Sequence, residues 1–138
     1  MHTPEYPGGC LCGDVRYRMT GTPVDAGYCH CRLCQRASGA PVVAWATFAA
    51  ADFHLLAGDL TTYRSSPRGE RDFCARCGTQ IAFRYLSKPE YVDITVASLD
   101  DPAALPPQYH IWTMSRIPWL RFADDLPAAP DGGRDIAS

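Results

Sequence analysis

Seven cysteines stand in this chain of 138 residues, and they stand in three knots: 10 and 12, then 29, 31 and 34, then 74 and 77. The number is odd and the spacing inside each knot is tight. A disulfide framework spreads its cysteines between elements and belongs to an oxidising compartment. Thiols at Cys-x-Cys and Cys-x-x-Cys spacing suit a tetrahedral soft metal ion better. Such knots constrain the fold strongly, because distant segments must meet at one point in space.

"GGCLCGD" and "FCARCGT" each present two thiols followed by a glycine, Gly13 or Gly78. A tight turn at that glycine lets backbone N–H groups point at sulfur. Cys12 and Cys74 lie 62 positions apart, so one zinc ion on Cys10, Cys12, Cys74 and Cys77 closes a long loop. It pins the N-terminal strand to the middle of the chain. Metal affinity then becomes folding free energy, on the order of 10 kcal/mol for a structural zinc site. A domain of this size builds a modest core, so a staple of that strength matters.

The remaining knot is "YCHCRLCQRASGAP", with Cys29, Cys31 and Cys34. Cys29 and Cys31 share one face of an extended segment. Cys34 follows as a knuckle, and "CQRASG" begins a helical turn whose N-terminus is expected to lower the Cys34 pKa. Three protein ligands with a free fourth corner is the pattern of a catalytic zinc site. His30, His54 and His110 are the side chains available to close that corner, and His30 should point away from its two neighbours. Three thiolates already make the ion electron-rich. Such a site matches the holding of a fourth, deprotonated thiol better than the activation of water.

The rest of the chain reads as strands. In "DVRYRM", Val15, Tyr17 and Met19 alternate with polar residues, a half-buried strand. "VVAWATF" is apolar throughout, a more buried strand. "FHLLAG" and "LTTYRS" flank Gly58 and Asp59 as a hairpin would. "TQIAFRY", "YVDITVASL" and "QYHIW" supply further strands, and "DPAAL" a single helical turn opened by Asp100 or Asp101 with Pro102 near its start. No long amphipathic helix is evident. The expected fold class is mainly β: a small zinc-stapled domain of several antiparallel strands, over residues 1–126, with a loose tail over 127–138.

The formal charge of -2 and the absence of a basic stripe argue against a nucleic-acid partner. No run reaches the length that crosses a bilayer, and "MHTPEYPGGC" carries no secretory pattern. The expected location is cytoplasmic, with no membrane partner.

These motifs resemble those of the glutathione-dependent formaldehyde-activating enzymes, a family that includes the centromere protein V-like domains. The resemblance runs through "GGCLCGDVRY", "YCHCRLCQRASGAP" and "FCARCGTQIAF", and ends in "YHIWTMSRIPWLRFADDLP". It implies a β-tent fold with a structural zinc on Cys10, Cys12, Cys74 and Cys77 and a second zinc on Cys29, Cys31 and Cys34. It also implies a carbon–sulfur lyase activity, condensing glutathione with formaldehyde to S-(hydroxymethyl)glutathione.

On that reading Arg32 and Arg36 are candidate partners for the glutathione carboxylates. Trp45 and Trp119 read as core or pocket wall, and Arg116 as a further pocket candidate. His30 and His110 are candidates for protonating a forming alkoxide. A thiol or aldehyde carrier and a zinc-scaffold interaction module are the alternatives. The module needs only the four-cysteine staple, whereas this chain keeps the cysteine trio as well.

Overall fold

The computed structural model describes residues 3–132, which form ten strands and one α-helix. The strands are β1 (Glu5–Gly9), β2 (Arg16–Thr20), β3 (Asp25–Cys29), β4 (Val43–Ala49) and β5 (Phe53–Ala57). They continue as β6 (Leu60–Ser66), β7 (Gly69–Cys74), β8 (Gln80–Tyr85), β9 (Tyr91–Thr95) and β10 (His110–Ile111), while α1 spans Arg32–Ser38. A three-stranded sheet runs β1-β2-β5, and a seven-stranded sheet runs β10-β3-β4-β9-β8-β7-β6. The fold is mainly β with little helix, as the strand patterns predict. All pairings are antiparallel except that of the short β10 with β3.

The main core lies between the sheets. Val15, Tyr17 and Met19 are fully buried, so the alternation read in "DVRYRM" points one face of β2 inward. Ala46 and Phe48 of β4, Ile81 of β8 and Ile94 of β9 join this core. β4 is apolar on both faces for a reason. Its other face carries Val43 and Trp45, which pack with Cys29, Cys34, Tyr109 and Ile111 in a second cluster. A strand covered on both sides reads as a continuous apolar run.

The hairpin expected around Gly58 and Asp59 is absent. β5 pairs with β2 in the small sheet, whereas β6 pairs with β7 in the large one. Gly58 is where the chain crosses between sheets. Its φ is +83°, and a Cβ there would lie 2.4 Å from the Asp14 carbonyl oxygen. The glycine signal was genuine, but it marks a sheet switch rather than a turn between paired strands. The "DPAAL" turn is a 3-10 turn over Pro102–Ala104, and Asp101 at its cap makes no side-chain capping bond.

Residues 127–132 were expected to begin a loose tail. They instead run against β10 and the turn after it. The Pro127 carbonyl accepts from His110 N–H, the Asp131 carbonyl accepts from Trp112 N–H, and Ala129 bonds in both directions. The two-residue β10 leaves backbone groups free for this pairing. The rest of the expected tail, 133–138, lies outside the described residues. No helix among the described residues is long and apolar enough to cross a membrane.

Candidate metal centre and thiol-binding cavity

The four-cysteine group assembles where β1, β7 and the turns after them meet. The sulfurs of Cys10, Cys12, Cys74 and Cys77 all lie within 4.8 Å of one another. Cys10 and Cys12 Sγ are 3.5 Å apart, and Cys12 and Cys74 Sγ 3.9 Å. Tetrahedral zinc at about 2.3 Å from each thiolate sets sulfurs roughly 3.8 Å apart. Backbone donors surround the group: Val15 N–H points at Cys10 Sγ, and Arg76 and Cys77 N–H point at Cys74 Sγ, all at 3.2–3.3 Å. Gly13 and Gly78 adopt positive φ, +82° and +80°, so both glycine-ended knots turn as read from the sequence. The donor set and its spacing fit a zinc ion.

Cys29, Cys31 and Cys34 also bring their sulfurs within 4.8 Å of one another. Cys29 ends β3. Cys31 caps α1, its sulfur accepting the Cys34 N–H at 3.2 Å. Cys34 sits in the first turn. The helix therefore favours the cap residue and not Cys34, against the expectation from "CQRASG". The hydrogen bonds of Cys29 and Cys34 hold the Cys31 thiol down to about 2, whereas the Cys34 thiol is raised.

No histidine joins these sulfurs among the described residues. His54 bonds Thr20 in the small sheet's region. His30 is fully buried and turned away from the sulfurs on either side of it, with its Nε2 2.9 Å from His110 Nδ1. His110 Nε2 in turn meets Asp124 at 3.1 Å. Burial, then the charges of His110 and Arg116, push His30 down to about 4, so its imidazole is neutral. Phe122 packs on both rings. The two histidines brace the cysteine loop from behind; neither lines the cavity in front of it.

That cavity has a volume of about 690 Å³ and is lined by all three cysteines of the trio. Trp45 forms part of its wall, as expected, while Trp119 is exposed elsewhere. Arg32 lies on the rim, its Nη1 bonding Gln35 Oε1 at 2.7 Å. Arg36 is exposed at the other end of α1 and Arg116 is exposed beyond the cavity; neither lines it.

The sequence reading missed Arg71. It is buried on β7, and its two terminal nitrogens lie 3.7 and 3.8 Å from Cys34 Sγ. Its guanidinium is fixed by Ser65, by Gln80 Oε1 at 3.0 Å, and by the face of Phe83, 4.9 Å from the ring centroid. The available signal was "ERDF", a strand-like alternation that puts an arginine inward just before the second cysteine pair.

Comparison with known proteins agrees with this geometry. The family model described as glutathione-dependent formaldehyde-activating enzyme matches residues 5–115. A protein of Halomonas elongata that bears this family's name is 28% identical over 83% of this chain and 79% of its own. A Schizosaccharomyces pombe protein named as an uncharacterized lyase is 30% identical over 59% of each chain. A crystal structure of a Rhodobacter sphaeroides protein superposes with a TM-score of 0.57 at 28% identity, covering 68% of this chain and 87% of that one. The match spans the cysteine trio, the four-cysteine group and the strands that carry them, and so this chain belongs to the glutathione-dependent formaldehyde-activating enzyme family, an enzyme of the carbon–sulfur lyase type.

Proposed function

We propose that the chain joins glutathione to formaldehyde, forming S-(hydroxymethyl)glutathione, with one zinc on the four-cysteine group and one on the trio. The observation that carries this reading is the convergence of three buried or half-buried sulfurs on an open cavity with no fourth side-chain ligand among the described residues. Zinc on the trio would supply a site that acidifies and holds the incoming thiol.

The protein's own residues do the rest. Arg71 offsets charge on Cys34 and keeps its sulfur in place. The Gln35 amide donates to the His30 and Ser115 carbonyls, tying the cysteine loop to the segment after β10. Trp45 and Phe83 keep one wall of the cavity apolar. Arg32 on the rim is placed for a carboxylate of the peptide. The reaction balances simply: the thiol loses its proton on binding, its sulfur forms a bond to the aldehyde carbon, and the aldehyde oxygen takes one proton.

The test is an initial-rate measurement at low protein concentration against the same glutathione–formaldehyde mixture without protein. A rate equal to the spontaneous one removes catalysis. S-methyl glutathione keeps the peptide but offers no thiolate, so it should bind far more weakly. Equal affinity for the two peptides removes the thiol site.

A further inference from the structure

Asp93 is an acid on the cavity wall that the reading above does not use. It stands in a row crossing the seven-stranded sheet. Asp25 of β3 is opposite Thr47 of β4, Thr47 is opposite Asp93 of β9, and Asp93 is opposite Phe83 of β8. The row shares a face with Cys29, because Asp25 and Cys29 are an even number of residues apart on one strand. Thr47 donates its hydroxyl to Asp93 Oδ1 at 2.5 Å. Among the described residues no cation pairs with Asp93. Asp93 is half-buried; Asp72, the buried acid of this sheet, is paired with Arg84.

An acid so placed is costly to keep charged. Burial drives Asp93 up to about 7; the Thr47 bond opposes this and the Asp25 carboxylate adds to it. A cation delivered by a ligand offsets that cost. The cavity is also bipolar. Arg32, Arg68 and Arg71 line it together with Asp93, which suits a zwitterion. Tyr85 lines the same cavity. After burial, the charges that raise its pKa are those of Asp93 and of Cys29, Cys34 and Cys31.

We propose that Asp93 receives the ammonium group of the thiol substrate, so that the cavity recognises an amino-acid thiol by its sulfur at the trio and its ammonium at Asp93. This rests on the trio being the thiol site. The span is consistent. Asp93 is two strands across and four residues along from Cys29, roughly 10 Å by 13 Å, so about 16 Å separates their backbones. An extended γ-glutamyl arm reaches roughly 10 Å at standard bond lengths, and the side chains at either end shorten the gap.

The experiment loads the protein with cobalt(II), whose near-ultraviolet sulfur-to-metal charge-transfer absorption and visible ligand-field bands change when a further thiolate binds. Wild type and Asp93→Asn are titrated with glutathione, with glutathione acetylated at its amine, and with 2-mercaptoethanol. Wild type should prefer glutathione over the acetylated peptide by roughly 10- to 100-fold, the size of a hydrogen bond to a charged group. Asp93→Asn should lose that preference while keeping its affinity for the acetylated peptide. If wild type binds the two peptides alike while 2-mercaptoethanol still changes the spectrum, the thiol site stands and the proposal falls. If Asp93→Asn weakens both peptides equally, Asp93 is structural and the proposal falls. If no thiol changes the spectrum, the thiol site and the proposal fall together.

Discussion

The guanidinium of Arg71 lies 3.7 Å from the sulfur of Cys34, although the two residues are 37 positions apart and on different elements. It donates to a sulfur that is already crowded by two other thiols. A cation fixed at that point favours the fully deprotonated trio, the form that binds metal. Arg71→Met keeps most of the packing volume and removes the charge. We expect it to weaken metal binding at the trio by roughly 10- to 100-fold, as loss of a residue supporting a metal ligand does. Competition with a chelator should show one ion per chain released early and the other retained.

The two cysteine groups should differ in what they do for stability. Cys12 and Cys74 are 62 positions apart, so a metal on their group closes a long loop. Cys29 and Cys34 lie within one short segment. Cys74→Ser should lower thermal stability by several kcal/mol or prevent folding. Cys31→Ser should leave the fold intact and abolish thiol binding. Equal loss of melting temperature in the two variants would remove the division into staple and working site.

Glutathione should release close to one proton per site on binding at neutral pH, because its free thiol is mostly protonated there. Calorimetry in buffers of different ionisation enthalpy counts that proton. X-ray absorption at the zinc edge should show the trio's ion gaining a sulfur neighbour.

Asp93 should make the protein less stable as pH rises. Its folded pKa of about 7 lies above the ordinary carboxylate value of 3.8. The folded state therefore holds the proton more tightly, and stability falls as pH climbs from about 4 to 7. The groups facing it are Asp25 on β3 and Tyr85 on β8, while Thr47 and Phe83 carry no charge. Asn in its place still accepts from Thr47. Asp93→Asn should thus raise the melting temperature at pH 8 and change it little at pH 4, with a difference on the order of a few kcal/mol. An equal effect at both pH values would show that the carboxyl carries no penalty from charge.

Of the two arginines on α1, only Arg32 lines the cavity. Arg32→Ala should weaken glutathione binding several-fold, the range of an exposed ion pair, and Arg36→Ala should leave it unchanged. Titration of both variants beside wild type measures this directly.

Much of this protein was legible in one dimension because its signals are local. Three cysteine knots, two of them ending in a positive-φ glycine, mark both groups that could hold a metal, since neighbouring thiols lie within a few residues of each other. Val15, Tyr17 and Met19 mark an inward strand face by period alone. Strand partners are a different matter. Gly58 looks the same in sequence whether it turns a hairpin or passes the chain between sheets; Asp14, which it must clear, is far away in the chain. The cavity likewise belongs to tertiary structure. Arg71 reaches Cys34 and Asp93 joins the wall only because β3, β4, β9, β8 and β7 lie side by side in that order. His30 and His110, both plausible acids by type, are withdrawn behind the cysteine loop by their bond to each other. The sequence determined which residues can hold metal, because ligand spacing is short-range. The folded structure alone decided which charges face the site, because that depends on contacts between distant positions: 37 apart for Arg71 and Cys34, and 46 for Asp93 and Thr47, while a contact 80 positions apart holds His30 and His110 away.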